Sequence, residues 1–133
     1  MQQMTSDDMM YLTRTTMELL DGWGLKTREM MQVLDMPDTV TVRGFGRFRE
    51  DTPFPDDPAV IKRVGYLLRI SDALRTTYPT NSHMRSRWMK QGNRRFSQRS
   101  PLGVILEGGE NGLVAVLAQL DCTYAWDLSG SKG

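Results

Sequence analysis

Apolar side chains in residues 7–23 fall at Met9, Leu12, Leu19, Leu20 and Trp23, with Thr16 filling the gap. Spacing of three and four predicts an amphipathic first helix. Asp7 or Ser6 can cap its start, and Gly22 with Gly24 can end it. A two-turn helix follows over 27–34, with Thr27 as cap and Met30, Met31, Val33 and Leu34 apolar. The stretch DTVTVRGFGRFRED at 38–51 stays open between a short helix and a turn-rich strand, because Val40 and Val42 favour a strand while Gly44 and Gly46 weaken any regular element. Asp57 and Pro58 then open a long helix. Val60, Ile61, Val64, Leu67, Leu68, Leu74 and Tyr78 form its stripe, and Pro79 stops it. Asn81 or Ser82 caps a short helix to about Lys90, with Met84 and Trp88 inward. Ser100–Pro101 restarts a helix through Leu106, closed by Gly108–Gly109, and Asn111 to about Trp126 forms the last one. The pattern predicts an all-α fold.

Charge changes the picture. The 133 residues carry 17 Lys plus Arg and 16 Asp plus Glu, yet the balance is −5 over residues 1–60, +9 over 61–100 and −3 over 101–133. A local excess of this size acts over about 8–10 Å, so the middle segment calls for an anion: nucleic acid, an acidic protein face, or the chain's own acidic ends. One cysteine and one histidine are too few for a disulfide framework or a metal centre rich in thiolate or imidazole. No apolar run approaches ~20 residues and the first thirty positions lack a signal-peptide pattern. These features lead to the expectation of a cytoplasmic protein with no membrane contact, cofactor or metal.

Catalytic signatures are missing: no GxxxxGK[ST], HExxH, GxSxG or GxGxxG pattern occurs. His83 reads as a surface or capping residue, and Cys122, in the apolar run LVAVLAQLDCTYAW, as a buried inert thiol. No catalytic residue is assigned. The order of helices at the front is compatible with a helix-turn-helix, whose reading element would present Thr39, Thr41, Arg43 and Arg47 to bases, with Arg49 or the basic face of the long helix on phosphates. In the last helix, Leu113, Val116, Leu117 and Leu120 make one stripe. Val114, Ala115, Ala118, Cys122, Tyr124, Ala125 and Trp126 widen it beyond a single face. Such a helix needs cover on several sides, from its own core, a second subunit or a partner protein.

The segment from about Leu74 to Asp127 resembles the toxin-binding domain of Xre/MbcA/ParS-type antitoxins. The resemblance lies in the arginine–Trp helix, the N-x-x-F loop from Asn93 to Phe96, SPL at 100–102 and the L-x-G-G-x-x-G-L run from Leu106 to Leu113. Residues 19–74, with DGWGL at 21–25, are similar to the Xre-like helix-turn-helix domain of those proteins; together the two parts cover about 110 positions. The resemblance implies a helix-turn-helix bundle over 1–75, joined by the long helix to a small toxin-binding domain over 76–133. It further implies an oligomeric antitoxin, for example a homodimer, that neutralises a RES- or ParT-like toxin using NAD and represses its own operon by binding DNA. On that reading Tyr124, Trp126, Asp127 and the tail with Lys132 occlude the toxin's nucleotide pocket, while Arg94, Arg95 and Arg99 meet acidic groups on its surface. The chain departs from the family at Asp35, where the tight turn tends to carry glycine, and at Gly44-Phe45-Gly46, which replaces an aromatic and basic helix ending. The alternative is a dimeric DNA-binding regulator whose last helix serves only dimerisation, with no toxin partner.

Overall fold

In the computed structural model, Thr5 starts the first helix in place of Ser6 or Asp7: its hydroxyl accepts from Asp8 N–H and the Asp8 carboxylate accepts from Thr5 N–H, both at 3.1 Å. This reciprocal capping box satisfies two otherwise unpaired donors. The structure describes the backbone of residues 5–129 and the side chains of residues 5–121. The α-helices are α1 (Ser6–Gly22), α2 (Thr27–Leu34), α3 (Pro58–Thr77), α4 (Ser82–Lys90), α5 (Pro101–Gly108) and α6 (Glu110–Ser129); Arg43–Arg49 and Arg94–Phe96 are 3-10 helices. No strand occurs among the described residues, and the fold is all-α. Two compact units divide inside α3, Met1–Gly65 and Tyr66–Gly133.

In the first unit, α1 buries Thr13, Thr16, Met17 and Leu20, while Leu12 and Leu19 are half-buried. The inward line includes threonines because Thr13 bridges backbone: its hydroxyl donates to Met9 C=O (2.7 Å) and accepts from the buried Phe54 N–H (2.8 Å). Lys26, not Thr27, holds the cap position of α2, with its N–H donating to Glu29 (2.9 Å). Met30, Val33 and Leu34 face the core. Asp35 ends α2 in the left-handed region at φ 54°, a conformation natural to glycine.

The ambiguous stretch resolves into the seven-residue 3-10 helix Arg43–Arg49. With three residues per turn, positions i and i+3 eclipse, so Phe45 and Phe48 point the same way and both are fully buried. Their rings meet edge-on at 5.3 Å, and Phe48 meets Phe54 at 5.2 Å. Such pairs contribute about 0.5–1.5 kcal/mol each beyond area burial. Asp57 caps α3 as expected, accepting from Ala59 N–H at 2.9 Å and Val60 N–H at 3.3 Å. Val60 and Val64 complete this core.

The second unit is built on Leu67, Ile70 and Leu74 of α3, Met89 of α4, Val104 and Ile105 of α5, and Leu113, Val116, Leu117 and Leu120 of α6. α4 packs on α5 and α5 on α6. Met89 is the fully buried residue of α4; Met84 and Trp88, expected inward, are only half-buried. Ser100 caps α5 by accepting from Gly103 N–H (3.0 Å), with Pro101 in the first turn. Gly109, rather than Gly108, takes the positive φ of 58° between α5 and α6. Gly112 lies where a Cβ would come within 2.3 Å of Val104 C=O, so the two helices touch backbone to backbone.

Candidate functional site

Of the residues expected to read DNA, Thr39, Thr41, Arg43, Arg47 and Arg49 are all exposed, but they do not share an α-helix. Thr39 precedes the 3-10 helix, and the Thr41 hydroxyl accepts from Gly44 N–H (2.9 Å) at its start. Arg47 lies over the Phe48 ring, 5.2 Å from its centroid. Arg49 grips Asp21 with two hydrogen bonds, Nε to Oδ2 at 3.1 Å and Nη2 to Oδ1 at 2.6 Å. That hydrogen bonding raises the guanidinium pKa above its ordinary value. Arg43 is left with no described ion pair, so the 3-10 helix presents its cations singly.

A denser arrangement occurs in the second unit at the corner formed by α4 and the turn after it. Asn81 caps α4, accepting from Met84 N–H at 3.1 Å. Because Met89 faces the core, His83, Arg87 and Lys90 lie along the exposed side at i, i+4 and i+7. The chain then turns tightly. Asn93 accepts at its side chain from Arg95 N–H (2.9 Å), at its carbonyl from Phe96 N–H (3.0 Å) and Gln98 N–H (2.9 Å), and donates its N–H to Arg99 C=O (3.1 Å). Ser97 and Gln98 both adopt positive φ, 56° and 71°. Left-handed non-glycine residues cost about 1–2 kcal/mol each, so the hydrogen bonds around Asn93 hold a strained loop in one shape. Exposed on it are Arg94 and Arg95.

The neighbouring cations are already engaged. Arg75 pairs with Asp72, Arg85 donates to Tyr78 C=O at 2.6 Å, and Arg99 pairs with Glu107 at 2.5 Å. Arg99, expected to face a partner alongside Arg94 and Arg95, is thus tied to α5. Arg87 and Lys90 were not singled out from the sequence, although their spacing from His83 is a readable signal.

On α6, Leu113, Val116, Leu117 and Leu120 are buried, while Val114, Ala115 and Ala118 are exposed on the other side, Val114 by 43%. The helix therefore carries a small apolar patch, flanked on the same face by the exposed Asn111 and Asp121, that the described residues leave open. The side chains of Cys122, Tyr124, Trp126 and Asp127 lie outside the described residues, as does Lys132 altogether. Arg69, Asp72, Ala73, Thr76, Leu117 and Asp121 line a shallow groove of about 310 Å³ between α3 and α6 within the second unit.

Among the described residues no cluster of three or more His, Cys, Asp or Glu side chains is placed to hold a metal, and no helix is long and apolar enough to cross a membrane. Comparison with known protein families gives no match, and no curated protein matches the chain. The antitoxin resemblance rests on the motifs quoted above.

Proposed function

We propose that the chain is an antitoxin that docks a cognate toxin of the RES or ParT kind through the open face of α6 and the tail beyond it, and that represses its own operon as an oligomer on DNA. The observation that supports docking is the exposure of Val114, Ala115 and Ala118 opposite a fully buried leucine–valine stripe. Val114, Ala115 and Ala118 form an apolar patch between Asn111 and Asp121, and interfaces pair such an apolar centre and aromatic anchors with a polar rim. Tyr124 and Trp126 are the aromatic anchors this reading assigns to the interface, and Asp127 and Lys132 its polar end. Blocking a toxin's nucleotide pocket requires occupancy alone, so the function needs no catalytic residue, metal or cofactor in this chain.

The test is co-expression with a RES- or ParT-like toxin in a growth assay. Truncation after Asp121 removes protection on this reading. So does the double substitution Val114→Asp/Ala118→Asp, which alters exposed positions and leaves thermal unfolding unchanged. Full protection by both variants would falsify the docking mechanism.

A further inference from the structure

The second unit carries nine cationic and five acidic side chains, and its described cations divide into paired and unpaired sets. Asp72 holds Arg75, Glu107 holds Arg99, and a backbone carbonyl holds Arg85. No carboxylate occurs from residue 81 to residue 99. Arg87 and Lys90 on the outer side of α4, and Arg94 and Arg95 on the strained turn, make no ion pair among the described residues.

We infer that this corner of the second unit, formed by Arg87, Lys90, Arg94 and Arg95 with His83 at its edge, is a binding surface for the phosphate backbone of duplex nucleic acid. The inference deepens the nucleic-acid half of the preceding reading, moving phosphate contact from the first unit to the second; toxin docking plays no part in it. Three observations carry it. The cations stand on backbone fixed by the Asn81 cap and by the Asn93 hydrogen bonds, so ordering them costs only side-chain freedom. From His83 to Lys90 the row is about 10 Å long at 1.5 Å per residue, a length over which a duplex presents about six phosphates.

The third observation separates nucleic acid from an acidic protein. Protein interfaces centre on large apolar or aromatic anchors. The exposed large apolar side chains of the described residues are Tyr11, Val42 and Val114, none on this corner. Between and beside the four cations in the chain stand Gln91, Asn93, Ser97 and Gln98, whose amide and hydroxyl groups join Arg and Lys in contacts to phosphate and sugar, while the aromatic rings of the segment, Trp88 and Phe96, are half-buried. The first unit is poorer in this respect: it has net charge −3, and Arg49 is committed to Asp21.

The experiment is fluorescence anisotropy of the full chain with a 20-bp duplex of unrelated sequence across a salt series. Four phosphate contacts give a log–log slope of about −3.6, a loss of about 150-fold in affinity from 50 to 200 mM salt. Arg94→Ala/Arg95→Ala should halve the slope, leaving a loss of about 12-fold over the same range, with thermal unfolding unchanged because both residues are exposed. Arg43→Ala/Arg47→Ala should leave the slope where it was. The inference is overturned if the duplex does not bind at 50 mM salt, or if the slope changes in the first-unit variant and not in the second-unit one. It is also overturned, in favour of an acidic protein surface, if Arg94→Ala/Arg95→Ala abolishes growth protection yet leaves duplex binding and its slope intact. Loss of protection in the truncated chain with duplex binding unaffected would bear on toxin docking alone.

Discussion

Gly112→Ala adds one methyl group at the point where α5 and α6 meet backbone to backbone. The new Cβ would sit 2.3 Å from Val104 C=O and 3.0 Å from Ile105 Cα. Both are main-chain atoms, so no rotamer change relieves the contact and the helices must separate by on the order of 1 Å, forfeiting dispersion contacts along the interface. A clash with main-chain atoms falls in the upper part of the range for overpacking, about 2–3 kcal/mol, against which alanine returns about 1 kcal/mol of helix propensity. We expect a net loss of about 1–2 kcal/mol, and for a unit of this size a melting temperature lower by roughly 5–15 °C. Gly65→Ala is the control: Gly65 is exposed in α3 with nothing within 4 Å of its Cβ position, so the same substitution should stabilise by about 0.5–1 kcal/mol. Circular-dichroism melts of the full chain give the shift, and hydrogen exchange of α5 and α6 amides localises it. A Gly112→Ala protein melting at or above the wild type would refute the close approach and with it the described seating of α6.

Thr13→Val should cost about 1–3 kcal/mol in urea unfolding, because it orphans the buried Phe54 N–H. Thr16→Val, nearly one turn on, should be neutral or stabilising, since the Thr16 hydroxyl is buried with no hydrogen-bond partner. Equal effects for the two would contradict the bonding described here. Gln98→Gly relieves a left-handed residue at φ 71° and should stabilise the second unit by about 1 kcal/mol, read as a raised urea midpoint; a lowered midpoint would argue against strain at that turn. Arg49→Ala removes an exposed ion pair, its side chains 40% and 45% accessible, and should cost only about 0.2–1 kcal/mol. A double-mutant cycle with Asp21→Ala measures the coupling, and a value above 2 kcal/mol would overturn that assignment.

What was legible in the sequence was short-range. Asp57, Asn81 and Ser100 act on N–H groups two or three residues ahead, so side-chain chemistry alone marked their helix starts. The 3-10 helix was obscured because its period is three and its partner Phe54 arrives from beyond the proline-rich link; Phe45-x-x-Phe48 was the signal present. The glycine run of residues 108–112 marked a helix–turn–helix join but not its division of labour, in which Gly109 makes the turn and Gly112 the close approach. At the candidate site, Arg49 and Arg99 looked as available as Arg94. Their carboxylate partners lie 28 and 8 residues away, separations that no local pattern reveals.

Charge counting therefore locates a binding surface only after internal pairing is subtracted. The excess of +9 over residues 61–100 includes Arg63, donating to Val33 C=O at 3.2 Å, as well as Arg75, Arg85 and Arg99. For each of these a phosphate must displace an existing partner, whereas Arg87, Lys90, Arg94 and Arg95 have no ion-pair partner among the described residues to give up. The two proposed surfaces then differ in what drives them. Contact on the open face of α6 buries apolar area, which added salt does not weaken, while contact at the α4 corner releases counterions and fades steeply. Raising salt from 50 to 200 mM should strip duplex from the chain and leave toxin bound, which a pull-down of the toxin with labelled duplex present reads directly. Loss of both together would show that α6 docks through charge, contrary to its apolar exposure.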